Sequence, residues 1–241
     1  MLLYTALTAN GSLSASGIKN LKVFYDTLLL NFKVENYEYL IIENINFDYE
    51  ENTITALDNS SLIQFGNTNR YEADKTTGNG YIDTVLLEKE KILLVCGLSA
   101  YQPLSQTING QTHTGSAIAP IVYEYNINTH TLHNIYPSDV LWESHLLGNV
   151  NKYKDAAVSF NPETNILNYI IKATRTVNSS AFFFWTDIEL KYSQNKLTLS
   201  NMRCLTSLAI NDVDIVSFRN YNDSEKIITT VDGAKLISFN I

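Results

Sequence analysis

Short runs of apolar and aromatic residues alternate along the chain with clusters of Asn, Asp, Gly and Ser. Runs of about four to eight residues rich in Ile, Val, Tyr, Phe and Thr are typical of β-strands, and the polar clusters are typical of turns. Helical periodicity is scarce. The best helix candidate is the segment 138–149, which Ser138 would cap and Gly148 would end. The pattern predicts an all-β protein.

Three segments repeat one arrangement of residues. They are FDYEENTI from Phe47, YNINTHTL from Tyr125 and FNPETNIL from Phe160. In each segment an aromatic residue is followed by Asp or Asn and then by a mostly polar stretch. The stretch ends with Asn or His, and Ile or Leu comes two residues later. Asn and Asp side chains hydrogen-bond to the nearby backbone and tolerate left-handed conformations. Each segment is therefore predicted to join two antiparallel strands through a tight turn.

The predicted strands fall into consecutive groups, each made of two hairpins. Three groups span roughly 21–57, 81–136 and 154–200, and the last, which ends at Ile241, has only three strands. The N-terminal segment MLLYTALT has no partner of its own. Its pairing with the last group would complete that group and remove exposed sheet edges.

This organisation resembles a small β-propeller of about four four-stranded blades, closed by the N-terminal strand and forming a single domain over 1–241. A large β-sandwich is the alternative, because it would show the same alternation and turns. The incomplete last group and the unpartnered first strand favour the propeller. The chain has no W-D dipeptide at a blade end, no kelch double glycine and no sialidase box.

Charge and cysteine content narrow the classes of function. The chain carries 25 acidic and 17 basic residues, a net charge of −8 that disfavours direct binding of nucleic acid. Cys96 and Cys204 lie in apolar surroundings typical of reduced, buried thiols. No segment has the roughly 18 apolar residues of a membrane-spanning helix, and the N-terminus lacks the positive charge of a secretory signal. A soluble protein of a reducing compartment is expected.

The histidines His130 and His133 form an H-x-x-H pair. On a helix this spacing would put both side chains on one face, where they could bind zinc. On a strand the period is two residues, so the two side chains point to opposite faces. The flanking pattern is that of a strand and a turn. His130 is therefore predicted to be a solvated turn residue, and no metal site is expected.

Three aspartates stand at predicted strand starts: Asp83, Asp212 and Asp214. Some propeller glycosidases place acids on inner strands, but solvated strand-end acids are the favoured interpretation here. The sequence has no nucleophile elbow, phosphate-binding glycine loop, dinucleotide fingerprint or EF-hand loop. A non-enzymatic protein without a cofactor is predicted.

Three long segments, 58–80, 101–120 and 138–152, would emerge on one face of a propeller as irregular loops. Long loops on a rigid scaffold often bind partners, and edge strands can pair with a partner's strand. A structural scaffold that docks partners through its long-loop face and its edge strands is therefore expected. Aromatic and hydrogen-bonding side chains in them are typical of recognition surfaces. The candidate binding residues are Arg70, Tyr71, Tyr101, Gln102, His113, Trp142, Glu143 and His145.

The Asn-rich, motif-poor strands and the T-N and N-K turns resemble the propeller-bearing nozzle or hub proteins of short-tailed bacteriophage tails. This resemblance implies a virion component that is assembled in the host cytoplasm and forms homo- or hetero-oligomers with other structural proteins. If the chain is not a virion component, a cytoplasmic location is expected.

Two alternatives stay open. In one, Tyr71, Tyr101 and Trp142 stack on sugars in a glycan-binding or glycoside-hydrolase-type propeller. In the other, the chain is part of a larger propeller that another polypeptide completes.

Overall fold

The computed structural model describes residues 18–34, 37–57, 60–67, 80–108, 111–136, 150–177, 180–204, 214–222, 225–232 and 235–240. Within these residues all sixteen regular elements are β-strands, which confirms the all-β prediction, and no helix could cross a membrane. The helix candidate at 138–149 and the N-terminal closing strand lie outside the described residues.

The strands form four antiparallel sheets, each built from consecutive parts of the chain. Sheet I comprises β1 (Ile18–Phe24), β2 (Thr27–Val34), β3 (Tyr37–Asp48), β4 (Thr53–Ala56) and β5 (Ser61–Asn67). Sheet II comprises β6 (Tyr81–Leu87), β7 (Ile92–Ile108), β8 (Gln111–Asn126) and β9 (Thr131–Tyr136). Sheet III comprises β10 (Val150–Asn161), β11 (Ile166–Val177), β12 (Ser180–Ser193) and β13 (Lys196–Cys204). Sheet IV comprises β14 (Asp214–Asn222), β15 (Glu225–Asp232) and β16 (Lys235–Asn240).

The four sheets correspond to the four predicted groups, with one addition to the first. Strand β5 pairs with β3 inside the segment that was predicted to be an irregular loop over 58–80. That prediction is wrong for residues 61–67. The sequence SLIQFGN alternates apolar and polar residues, and the alternating residues Ile63 and Phe65 are buried.

Sheet II lies between sheets I and III. On β7, Leu93 and Val95 pack against sheet I, whereas Leu94 and Cys96 pack against sheet III. A strand with both faces covered reads as a continuous apolar run, which explains the sequence ILLVCGL. Sheet IV contacts sheet III through strands β14 and β10, and β10 also contacts β6. The first strands of sheets II, III and IV, which are β6, β10 and β14, are therefore spatial neighbours in chain order. This arrangement is propeller-like.

The predicted polar turns are confirmed. Side-chain oxygens of Asp48, Asn126 and Asn161 each accept hydrogen bonds from two backbone N–H groups within the turn that follows. The last residue of each turn has a positive φ: Asn52, His130 and Asn165. Short side chains that bond to their own turn therefore fix these hairpins.

A second feature recurs at the first turn of sheets I, II and III. The backbone carbonyl of the last turn residue accepts a hydrogen bond from a backbone N–H close to the end of the third strand. The pairs are Asp26 with Ile45 at 2.7 Å, Lys91 with Ile127 at 2.9 Å, and Asn165 with Tyr192 at 2.8 Å. Asp26, Lys91 and Asn165 therefore occupy equivalent positions in the three sheets.

Candidate functional site

The predicted binding residues divide into two sets. Arg70, Tyr71, Trp142, Glu143 and His145 lie outside the described residues. The other three lie in strands, Tyr101 and Gln102 in β7 and His113 in β8. Gln106 lies directly opposite His113, and Gln102 lies directly opposite Ala117. These three residues therefore belong to a hairpin and not to a loop.

The prediction of an irregular loop at 101–120 is wrong, because β7 and β8 continue as a two-stranded ribbon. Strand β6 pairs with β7 as far as Gly97, and β9 pairs with β8 as far as Val122. Beyond these points the registered pairs of β7 and β8 are with each other, up to Ile108 opposite Gln111. The sequence signal is the dipeptide Asn109-Gly110 between them, which favours a two-residue hairpin turn.

The outer face of sheet I, which points away from sheet II, carries a row of aliphatic side chains. Leu21, Leu30, Ile41 and Leu62 lie directly opposite one another on β1, β2, β3 and β5. Leu30 and Ile41, in the middle of the row, are buried, whereas Leu21 is 57% and Leu62 is 49% exposed. The row is therefore apolar across the sheet and open at both flanks.

Exposed apolar side chains are concentrated on this sheet. Of nine exposed large hydrophobic residues among the described side chains, eight belong to sheet I and its turns. They are Leu21, Val23, Tyr25, Phe47, Tyr49, Ile54, Leu57 and Leu62; the ninth is Leu199 on β13. A concentration of this kind marks an interaction surface, whereas a single exposed Leu does not. The ring of Tyr25 contacts Lys91 of sheet II. We call the surface formed by the other seven residues, with the buried Leu30, Phe32 and Ile41, the outer face of sheet I.

A depression of about 670 Å³ extends this surface toward the turns. It is lined by Val23, Ile45 and Phe47, and by Tyr49, whose ring lies 4.6 Å from that of Phe47. Tyr49 is 83% exposed, so the aromatic pair projects from the sheet edge. The outer face thus combines a flat aliphatic row with a protruding aromatic pair.

One ion pair joins the first strands of sheets I and II, and a second lies within sheet I. Lys22 on β1 pairs with Asp83 on β6. Lys19 pairs with the buried carboxylate of Glu38 at 3.3 Å. Asp83 stands near the start of β6 and its side chain is 44% exposed, in keeping with a solvated strand-end acid, and it also pairs with Lys22. Asp212 lies outside the described residues, and for Asp214 only the backbone of β14 is described.

The histidine pair is split between a turn and a strand, as predicted. His130 has φ 56° and ends the turn, whereas His133 lies on β9 opposite Glu124. His130 is only partly solvated, because its Nδ1 lies 3.3 Å from the hydroxyl of the buried Tyr125. Among the described side chains no three His, Cys, Asp or Glu residues are arranged to hold a metal ion.

Tyr125 also links sheets I and II through a buried polar contact. Its hydroxyl donates a hydrogen bond to Asn44 Oδ1 at 2.9 Å, and the hydroxyl of Thr27 donates to the same oxygen at 3.3 Å. All three residues are fully buried, and burial raises the pKa of Tyr125. A satisfied buried network of this kind fixes how two sheets stack.

Cys96 lies between sheets II and III and is fully buried, as the sequence predicted. Burial raises the pKa of its thiol to about 12. Burial also holds the pKa of the neighbouring Tyr169 well above its usual value. Because the thiolate is the reactive form, Cys96 is unreactive at neutral pH. Its role is core packing.

No protein-family model matches the sequence, and no curated protein is similar to it in sequence. Among solved structures, the chain is similar to a candidate dipeptidyl aminopeptidase IV from Bacteroides ovatus, at 10% identity and a TM-score of 0.23. The similarity covers 98% of this chain and 46% of that one, so this chain spans about half the length of that protein. A likeness this low carries no argument about activity.

Proposed function

We propose that the chain is a non-enzymatic structural scaffold whose sheet I docks a β-sheet of a neighbouring chain onto its outer face. The observation that carries the proposal is the clustering of seven exposed large hydrophobic residues on the outer face of sheet I. Burying such a surface against a partner removes apolar area from water, which is the main driving force of stable association.

The composition of the strands in sheet I indicates what the occupant is. Leu28–Leu30 in β2 and Leu40–Ile42 in β3 are continuous apolar runs, the pattern of strands that are covered on both faces. On the inner face, Leu40 and Ile42 pack in one cluster with Val95 of sheet II. The outer face repeats this aliphatic chemistry. Leu30 and Ile41 of these runs are already buried, and the exposed Leu21 and Leu62 continue the same row at its flanks. We infer that a sheet packed against these flanks is the occupant.

In its narrower form, the proposal places the chain in a virion, as a tail component in a homo- or hetero-oligomeric ring; otherwise it works in the cytoplasm. The Asn-rich turns that support the phage-tail resemblance include positive-φ residues Asn52, Asn165 and Asn195. The net charge of −8 repels the phosphate backbone, which is the property needed by a surface that lies beside DNA without binding it. The neighbouring chain then completes the stack of sheets that this chain begins.

The native mass of the protein tests the proposal. The wild-type chain, measured by size exclusion with light scattering, is expected to form a multimer alone or to co-purify with a partner from its source. Glutamate at both flanks of the aliphatic row, in a Leu21→Glu and Leu62→Glu double variant, is expected to release a folded monomer, because a buried unpaired charge is costly.

Leu199→Glu is the matched control, since Leu199 is exposed to 44% but lies on sheet III. It is expected to leave the assembly intact. Self-association of the purified chain would identify the neighbour as a second copy. A wild-type chain that is strictly monomeric, both alone and when isolated from its source, would overturn the proposal.

A further inference from the structure

A groove of about 670 Å³ separates sheets II and III at the end of the fold that carries the short first turns. Its apolar surface includes Leu87, Phe160 and Tyr192. Its rim includes Glu88 and Glu90 from the turn between β6 and β7. The groove therefore combines aromatic rings with carboxylates in one space that is open to solvent.

The aromatic wall of the groove is held in place. The rings of Phe160 and Tyr192 lie 6.3 Å apart in an edge-to-face arrangement. The hydroxyl of Tyr192 donates a hydrogen bond to Glu124 Oε2 at 2.8 Å, and Glu124 is 3% exposed. Burial and the charges of Glu124 and Glu90 raise the pKa of Tyr192, so its ring stays neutral. A fixed neutral ring beside carboxylates is a favourable site for a cation.

The adjacent groove, between sheets I and II, shows how the fold itself uses such a ring. There, Lys91 Nζ lies 3.4 Å from the centroid of the Tyr25 ring. Asp26 lines the same groove. An ammonium group of the protein thus sits on an aromatic face with a carboxylate nearby.

The position that supplies this ammonium in sheet II is uncharged in sheet III. Lys91 and Asn165 are equivalent, because each ends the first turn of its sheet with φ 55° and accepts a backbone hydrogen bond from the third strand. Asn165 lines the groove between sheets II and III. In that groove Lys89 is a rim residue and is exposed, beside the two glutamates. This groove therefore has carboxylates and aromatic rings but lacks the ammonium of the equivalent residue; its rings, Phe160 and Tyr192, come from strands of sheet III and not from the turn position that Tyr25 occupies in sheet I.

We propose that this groove binds a small organic amine, whose ammonium group lies by Glu88 and Glu90 and whose apolar part lies on Phe160 and Tyr192. The ligand then supplies an ammonium, as Lys91 does in the adjacent groove, but on different rings. This site is independent of the docking function of sheet I, since it lies between two other sheets.

An NMR titration tests the site with two probes of the same shape, benzylamine, which is a cation at neutral pH, and neutral benzyl alcohol. Backbone amide signals of Leu86, Glu90 and Asn165 report on the groove. Benzylamine is expected to shift them saturably and to bind at least about fivefold more tightly than the alcohol, which matches a cation–π contact with charge assistance. Added salt is expected to weaken benzylamine binding.

Three variants sharpen the test. Asn165→Lys supplies an internal ammonium at the position equivalent to Lys91 and is expected to abolish benzylamine binding. Glu90→Gln is expected to weaken binding by about threefold or more, as the loss of one nearby charge predicts. Glu50→Gln, at an exposed glutamate in a turn of sheet I, is the matched control and is expected to bind like the wild type.

All three substitutions are at turn positions, so a dispersed amide spectrum verifies that each variant is folded. Equal binding of benzyl alcohol and benzylamine would overturn the proposal. Unchanged benzylamine binding to Asn165→Lys, or an absence of saturable shifts at the groove in the wild type, would overturn it as well.

Discussion

Sheets I and II share similar apolar strands but differ in how much of them is covered. On β7 of sheet II, the residues Ile92–Leu98 are buried, and the sheet has a neighbouring sheet on each face. Sheet I packs its inner face on sheet II, yet Leu21 and Leu62 on its outer face are about half exposed. Strand composition therefore predicts how many faces are covered: in β2 and β3 the outer-face residues Leu30 and Ile41 are buried, and the exposure of the outer face is confined to its flanks on β1 and β5.

The largest expected effect contrasts Leu94 on sheet II with Leu21 on sheet I. Leu94 is fully buried, so Leu94→Ala is expected to lower the free energy of unfolding by about 2–5 kcal/mol. Leu21→Ala is expected to change it by less than about 0.5 kcal/mol in the isolated chain, because the side chain is mostly in water. Urea denaturation measures both. Equal losses would show that the outer face is already covered within one chain.

A smaller effect is expected at Gly97, which lies where sheet II meets sheet I. A Cβ atom at Gly97 would lie 2.5 Å from Phe65 Cε1 and 2.6 Å from the carbonyl oxygen of Gly80. Gly97→Ala is therefore expected to lower the free energy of unfolding by about 1–3 kcal/mol through overpacking. Thermal unfolding measures it, and Phe65→Leu in the same chain is expected to restore part of the loss. A neutral Gly97→Ala would contradict the close packing of the two sheets.

The effect that is smallest at neutral pH concerns the face of sheet II that packs on sheet III. The pKa of Cys96 is raised from 9.0 to about 12 in the folded chain. Below pH about 9 both states keep the proton, so the contribution of the thiol to stability is fully present. As the pH rises toward 12 the unfolded state loses its proton first, and that contribution is lost.

Cys96→Ala is accordingly expected to make the fall in unfolding free energy between pH 9 and 12 shallower, as measured by denaturation at several pH values. Leu94→Ala, next to it in the core, lowers stability at every pH and leaves the slope unchanged. If the pH dependence of the unfolding free energy in Cys96→Ala were the same as in the wild type, the pKa of the thiol would not be raised in the folded chain. The burial of Cys96 would then be contradicted.

The sequence predicts the local features of this fold well. The turns after Asp48, Asn126 and Asn161 follow from side chains that bond to their own backbone, and the four groups of strands follow from the spacing of such turns. Strand β5 and the long hairpin also had signals, the alternation of SLIQFGN and the dipeptide Asn109-Gly110. The loop predictions are wrong there because both segments are polar overall, and that polar composition outweighed the strand signals.

Contacts between sheets are harder to predict. Lys22 and Asp83 are 61 positions apart, and their pairing depends on the stacking of sheets I and II. The burial of Glu38 and the pairing of Tyr192 with Glu124 depend on stacking in the same way. The exposure of Leu21 and Leu62 at the flanks of the outer face is also a tertiary property, whereas the runs in β2 and β3 predict the coverage that Leu30 and Ile41 show.

Cysteine labelling on the outer face of sheet I tests the account most directly. Leu21→Cys, treated with a maleimide, is expected to react rapidly in the isolated, dissociated chain and to be protected in the native assembly. Leu199→Cys is expected to react in both, and the wild-type chain sets the background from its own cysteines. Equal labelling of Leu21→Cys in the isolated chain and in the assembly would contradict docking on sheet I.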